Sequence, residues 1–206
     1  MLTFDDKAHR YFWNGIPVPG VTTLLRPIHN FDGVPASVLE EARRRGTYVH
    51  RMTELHDAGD LDEEALRRGP GARYLGYLRA WKDFIEQHEV EIIESEERGY
   101  CSLGFAGTWD RWARLTYRRS RSVAMVDIKT AHEASRAWGV QTAAYRRIKA
   151  GSDPAAALAP RFSVQLLPEG EFQLIAWNDP NDWPTFEALL RRHQAEQVIQ
   201  RWKEAA

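Results

Sequence analysis

The chain has 206 residues, of which 43% are hydrophobic and 28% are charged, a balance typical of a single globular domain. This composition excludes a mainly disordered chain, the lack of a long apolar run excludes a membrane-spanning helix, and the single cysteine, Cys101, excludes an internal disulfide. The net charge of −1 does not indicate a globally basic nucleic-acid-binding protein. With no secretory signal visible, we expect one cytoplasmic domain over 1–206 and no membrane partner.

Residues 2–18 favour short β-strands. An aromatic run that ends at Trp13 leads into Asn14-Gly15, the pair that a type I′ hairpin turn requires. A single helical turn is expected from Val21 to Leu25. Residues 1–30 are therefore predicted to form a β-hairpin elaboration within the domain.

Helical periodicity follows this N-terminal part. Residues 35–57 are predicted to be helical, with a break at Gly46. Asp60 is expected to cap a short helix that ends before Gly69. Between 74 and 85, apolar residues recur every three or four positions, which predicts an amphipathic helix of about four turns.

The period then changes to that of a β-sheet. A strand is expected to begin at Val90, followed by two strands and a helix over 103–115, 123–128 and 138–148. The last part predicts two alternating strands and a C-terminal helix over 162–166, 172–176 and 182–202. This order predicts an α/β domain with a mixed central β-sheet flanked by helices.

Two carboxylates and a lysine are predicted to meet at an edge of the sheet. Asp110 lies in one strand and Asp127 at the end of the next, and the 16 residues between them suit a hairpin that returns the second carboxylate to the first. Asp127 and Lys129 are two positions apart, so their side chains leave the same face of a strand. Hard oxygen ligands of this kind suit Mg²⁺ or Mn²⁺.

The same residues have a simpler interpretation. An Asp-x-Lys triplet is common in proteins, and Asp127 with Lys129 could form an ordinary charge pair on an edge strand. In a catalytic site, Lys129 would either orient a water molecule and stabilise charge, or act as a base whose pKa is lowered from its usual value of about 10.4. The residue pattern leaves both roles open.

Two predicted helices carry further polar candidates. Gln141 and Tyr145 are four positions apart and share a helix face, where an amide and a phenol can bond to phosphate or sugar oxygens; such a pair also occurs as a packing detail. His50 lies one turn before Glu54 on another helix. A neutral imidazole there could complete a carboxylate metal site, although an isolated histidine is more often structural.

A basic stretch lies between the two aspartates. From 110 to 129 there are six basic and two acidic residues in a chain that is otherwise nearly neutral. Four arginines of the predicted hairpin are expected to include phosphate contacts beside the metal site, namely Arg114, Arg118, Arg119 and Arg121. The alternative is that this stretch is an ordinary solvated surface.

Four short motifs follow one another in a fixed order, namely Gly46-Thr47-x-x-His50, Gly107-Thr108-Trp109-Asp110, Asp127-Ile128-Lys129-Thr130 and Gln141-x-x-x-Tyr145. This set resembles the PD-(D/E)XK nuclease superfamily, and within it the RecB-like branch with its small phage-type exonucleases. The resemblance implies a restriction-endonuclease-like core and metal-dependent cleavage of DNA phosphodiesters.

The resemblance also implies a role for each matching residue. The implied metal ligands are His50, Asp110, Asp127 and the carbonyl of Ile128. The implied catalytic residues are Asp110, Asp127, Lys129, Gln141 and Tyr145. Some branches add a glutamate ligand, for which four candidates compete without an assignment, namely Glu54, Glu94, Glu96 and Glu97.

The sequence therefore predicts a Mg²⁺- or Mn²⁺-dependent deoxyribonuclease, expected to be an exonuclease of phage-type or cellular DNA recombination, repair or processing. Its expected partners are DNA and a recombination or single-strand-binding protein. One alternative is a catalytically idle nuclease fold that only binds nucleic acid, and another is a structural or assembly protein. The combination of Asp110, Asp127 and Lys129 argues against the idle fold, because binding alone does not need that set.

Overall fold

The computed structural model describes residues 1–29 and 33–205, which form two β-sheets and six α-helices. The strands are β1 (Leu2–Asp5), β2 (Arg10–Trp13), β3 (Ile16–Val18), β4 (Glu91–Cys101), β5 (Phe105–Tyr117), β6 (Ser120–Lys129), β7 (Arg161–Leu166) and β8 (Phe172–Ala176). The helices are α1 (Val21–Leu24), α2 (Ala36–Ala58), α3 (Glu63–Arg68), α4 (Leu75–Gln87), α5 (Arg136–Lys149) and α6 (Asp182–Glu204). None of these six helices has both the length and the apolar character needed to cross a membrane.

The N-terminal sheet is a small antiparallel unit with the strand order β1-β2-β3. Asn14 and Gly15 have φ angles of 49° and 79°, as a type I′ turn demands, so this turn prediction is confirmed. The Tyr11 hydroxyl on β2 shares a hydrogen bond of 2.8 Å with the Thr108 hydroxyl on β5. This contact ties the small sheet to the larger one. Asn30, the last residue of the predicted N-terminal elaboration, lies outside the described residues.

The larger sheet has the order β4-β5-β6-β7-β8, in which β6 and β7 are parallel and the other neighbours antiparallel. Helix α5 connects the two parallel strands and packs with α1 and α6 on one face of the sheet. Helices α2 and α4 cover the opposite face. The prediction of an α/β chain with a mixed central sheet flanked by helices is confirmed.

Two local predictions are wrong. Helix α2 continues through Gly46 without a break, because a glycine inside a helix costs only about 1 kcal/mol relative to alanine and the flanking residues favour helix. Asp62, rather than Asp60, caps α3, and its carboxylate accepts a hydrogen bond of 2.9 Å from the Ala65 N–H. Asp60 directly follows Gly59, whose left-handed conformation ends α2.

Candidate metal centre and substrate cleft

An open cleft of about 810 Å³ lies where α2 and the N-terminal sheet meet strands β4 to β6 and helix α5. Six residues to which the sequence analysis gives a catalytic or metal-binding role line it, namely His50, Asp110, Asp127, Lys129, Gln141 and Tyr145. The fold therefore brings all four motifs to one surface.

Three side chains form a cluster that could hold a metal ion. His50 on α2, Glu96 on β4 and Asp110 on β5 each offer one ligand atom, and these atoms lie within 4.8 Å of one another. The His50 Nδ1 is 3.4 Å from Glu96 Oε1 and 3.5 Å from Asp110 Oδ1. The other Asp110 oxygen, Oδ2, accepts a hydrogen bond of 2.5 Å from the Ile128 N–H. The fold thus leaves Asp110 Oδ1 free to face the cluster.

Asp127 lies beside this cluster, on the neighbouring strand. The β5–β6 ladder begins at the pair Arg111–Val126, so Asp110 and Asp127 are the next residues beyond it, as the hairpin spacing predicts. Asp127 Oδ2 is 2.8 Å from the Lys129 ammonium, while its buried Oδ1 has no hydrogen-bond partner among the described residues. Ile128 contacts the site through its N–H, which donates to Asp110. That its carbonyl binds a metal ion stays a prediction.

A chain of hydrogen bonds runs from Lys129 into helix α5. The Lys129 ammonium donates to Gln141 Oε1 at 2.9 Å, and the Gln141 amide donates to the Tyr145 hydroxyl at 2.9 Å. Gln141 and Tyr145 are both buried, because α5 packs against the sheet at this point. Gln141 and Tyr145, the two residues predicted to share a helix face, therefore orient the Lys129 ammonium group.

The charges of the cluster shift the pKa of two members. Burial lowers the pKa of His50, but the Asp110 carboxylate and the Glu96 carboxylate outweigh it and raise this pKa to about 9. Burial raises the pKa of Asp127 to about 6; the Asp110 charge adds to this increase, and the Lys129 ammonium opposes it. The site thus concentrates negative charge, and protonated His50 neutralises part of it.

Glu96 is the ligand candidate that sequence reasoning did not assign. Strand β4 pairs Glu97 with Trp109 of β5, so the preceding residue lies opposite Asp110. The φ angle of Glu96 is 52°, a strained conformation that costs of order 1 kcal/mol and is frequent at functional sites. The turn at Gly104 sets this register, and counting back from it is the signal that would have selected Glu96.

The other glutamates have different environments. Glu94 forms an ion pair with Lys149 of α5, and Glu54 accepts a hydrogen bond of 2.6 Å from Arg51. Glu54 and Glu97 line the cleft but are not members of the three-residue cluster.

Buried Arg111 holds the cluster in place and was not recognised as important from the sequence. Its guanidinium has no solvent-exposed area and donates to Asp57 at 2.7 Å, to Glu96 at 3.2 Å and to the Asp110 carbonyl at 2.7 Å. A fourth bond of 3.1 Å reaches the Thr53 hydroxyl. Because these bonds join α2 to β4 and β5, Arg111 fixes the separation of the elements that carry the ligands.

The four hairpin arginines do not reach the cleft. None of them lines it: β5 leads away from Asp110 and ends at Tyr117, about 23 Å further on at roughly 3.3 Å per residue, and Arg118 and Arg119 lie in the turn that follows. Arg114 forms an ion pair of 2.7 Å with Glu91, and Arg121 one of 3.5 Å with the same residue. The expectation that these arginines, with Arg119, adjoin the metal site is wrong.

Comparison with known proteins adds little to this geometry. No family model matches the chain, and no curated protein matches it. A solved structure described as "Crystal structure of SSO0001" shares 17% identity, with 87% of this chain and 73% of that chain covered and a TM-score of 0.37. Neither a fold family nor an activity follows from a likeness of this size.

Proposed function

We propose that this chain is a metal-dependent nuclease that hydrolyses phosphodiester bonds in DNA, built on a restriction-endonuclease-like core. The observation that carries the proposal is the convergence of His50, Glu96 and Asp110, from three separate elements, on one point of an open cleft. Asp127 and Lys129 lie beside them. A cation site next to a fixed ammonium group, in a cleft open to a polymer, suits hydrolysis of a phosphodiester.

The donor set supports Mg²⁺ or Mn²⁺ as the cofactor. His50, Glu96 and Asp110 would hold the ion, since carboxylate oxygens suit both cations. The buried Asp127 Oδ1, which lacks a partner among the described residues, gives a second reason, because a buried carboxylate oxygen without a partner is costly. When bound, such an ion would polarise a phosphoryl oxygen and lower the pKa of a water molecule.

Lys129 is positioned to act on the substrate phosphate. An ammonium group has three donors, and Asp127 and Gln141 occupy two of them. The third donor is available to a phosphate oxygen, where it would stabilise the charge that develops during hydrolysis. We assign Lys129 this electrostatic role rather than that of a base, because the Asp127 and Gln141 oxygens hold its ammonium group as a hydrogen-bond donor.

Two further cations would position the DNA. Arg51 of α2 and Arg98 of β4 line the cleft, and Arg51 forms an ion pair with Glu54. The Arg98 guanidinium lies 4.4 Å from the centre of the Phe4 ring and 3.3 Å from an Asp6 carboxylate oxygen. Arginines at such positions bind phosphates that flank the scissile one. The proposal includes exonuclease action in DNA recombination, repair or processing, with a recombination or single-strand-binding protein as a partner.

The proposal is tested by incubating the chain with end-labelled linear DNA and with covalently closed circular DNA, in Mg²⁺, in Mn²⁺ and in a chelator. We expect metal-dependent loss of the linear substrate alone. Cleavage of the circle would support an endonuclease instead, and binding without cleavage of either would support the idle nuclease fold. Asp110→Asn is the matched control, because the amide can still accept the Ile128 N–H bond while removing the charge.

A further inference from the structure

A second groove, of about 730 Å³, lies between the N-terminal sheet and the C-terminal half of α6. Its charged lining residues are three arginines, Arg10, Arg26 and Arg201, and the histidines His9 and His193 line it as well. Within the described part of the chain, no aspartate or glutamate lines it. A concave surface with cations alone is a site for a polyanion.

The arginines of this groove keep their charge available. Arg10, Arg26 and Arg201 are exposed, and none forms an ion pair with a carboxylate of residues 1–29 or 33–205. Among the described residues, Arg201 donates one bond of 3.3 Å, to the Gln197 carbonyl of its own helix. On the β5–β6 hairpin, Arg114 and Arg121 form ion pairs with Glu91, whereas Arg118 and Arg119 form none among the described residues. Positive charge that is free to bind phosphates therefore lies in the groove.

The groove adjoins the cleft that holds the metal cluster. His9 and Tyr11 line both spaces, so they form the shared wall. Tyr11 is fixed there by its hydrogen bond to Thr108, and a Cβ added at Gly20 would lie 3.0 Å from its ring. The His9 ring packs edge-on against Phe4, with their centres 5.1 Å apart. An aromatic ring at the junction of two clefts can stack with a nucleic-acid base.

We propose that this groove binds single-stranded DNA and leads it past His9 into the cleft, with Arg10, Arg26 and Arg201 on successive phosphates. The inference rests on the proposed nuclease function and adds the form of the substrate and the side from which it enters. A cationic groove with an aromatic side chain suits one strand, whose backbone follows the charges while a base stacks. A duplex would instead need a broad surface along both of its strands.

The test measures binding of a labelled single strand of about 20 nucleotides in a chelator, so that no cleavage occurs, at several salt concentrations. The variant carries Arg10→Gln, Arg26→Gln and Arg201→Gln together. The slope of log affinity against log salt should fall by about 2, since each phosphate contact to a single strand contributes about 0.7. When the salt concentration is lowered from 1 M to 0.1 M, the affinity of the unchanged protein should therefore rise about 100-fold more than the affinity of the variant.

The matched control removes the same charge elsewhere, through Arg118→Gln, Arg119→Gln and Arg121→Gln. We expect its salt slope to equal that of the unchanged protein. Equal slope losses in both variants, no slope loss in the groove variant, or no binding by the unchanged protein would overturn the proposal. If the groove variant lost more of its salt slope with a duplex than with the single strand, the assignment of single-stranded DNA would be overturned.

Hydrolysis of bis(p-nitrophenyl) phosphate in Mn²⁺ separates this inference from the proposed function. That ester is too small to reach the groove, so the groove variant should hydrolyse it as fast as the unchanged protein. A failure of both proteins to hydrolyse it, with the difference in salt slope intact, contradicts the nuclease proposal and supports the groove. If the groove variant failed to hydrolyse the ester while the unchanged protein did so, the claim that the groove is separate from the catalytic cleft would be contradicted.

Discussion

Metal affinity should depend on pH because His50 must lose a proton to bind the ion. The raised pKa of His50 moves the pH range of this dependence upward. A histidine must be neutral to bind a metal ion, so the metal competes with a proton. With the pKa of His50 raised to about 9, only about one molecule in a hundred carries the neutral form at pH 7. Affinity should therefore rise about tenfold per pH unit from pH 7 to pH 8.5, whereas a histidine with the usual pKa of about 6.5 would give almost no change there.

Calorimetric titration with Mg²⁺ measures this dependence directly. The heat of binding, recorded at one pH in buffers of different ionisation enthalpy, should also show release of about one proton per ion. Below pH 6.5 a second proton should appear, because the pKa of Asp127 is raised to about 6 by its burial. His50→Gln should abolish the rise between pH 7 and pH 8.5, while His132→Gln, a change at an exposed histidine outside the cluster, should keep it.

Flat affinity between pH 7 and pH 8.5 in the unchanged protein would refute the reasoning, since it would mean that no proton is displaced from His50. The same slope in His50→Gln would assign the proton to another group. Either result would remove the imidazole from the metal site and leave the carboxylates as its ligands.

The remaining predictions concern the groups around the cluster. Arg111→Leu should lower the free energy of unfolding by about 3–5 kcal/mol in urea denaturation, because it leaves Asp57 buried without its cation; a change below 1 kcal/mol would contradict this role. Lys129→Met should slow metal-dependent DNA cleavage at least about 100-fold in single-turnover assays while metal affinity stays within a few-fold, and unchanged cleavage would exclude its catalytic role. Without metal, thermal melts should show stability falling by about 2–3 kcal/mol between pH 6.5 and pH 9, because His50 has the higher pKa in the folded state and loses its proton over that range; a flat profile would contradict the shift.

Much of the secondary structure follows from the residue pattern alone. The Asn14-Gly15 turn, the amphipathic helix α4 and the alternating strands β7 and β8 are all local features, because they depend on neighbours only a few positions apart. The same holds for the pairing of Asp110 with Asp127, since one short hairpin sets their register. Helix ends are less well determined, and the choice of Asp62 over Asp60 depends on which carboxylate reaches a free N–H.

The composition of the site depends on contacts between segments that are far apart in the chain. His50 reaches Asp110 only because α2 packs across the sheet, whereas Glu96 joins them through the register of the β4–β5 hairpin and a strained backbone. Charge is decided in the same way: the hairpin arginine Arg114 is neutralised by a glutamate of the adjacent strand, while Arg10 stays free in a groove built from both ends of the chain. The sequence by itself determined the strands, the helices and the chemical types of the site residues, because these follow from local spacing. Tertiary structure alone decided which carboxylates and which cations meet, because electrostatic interactions depend on distance in space rather than on separation along the chain.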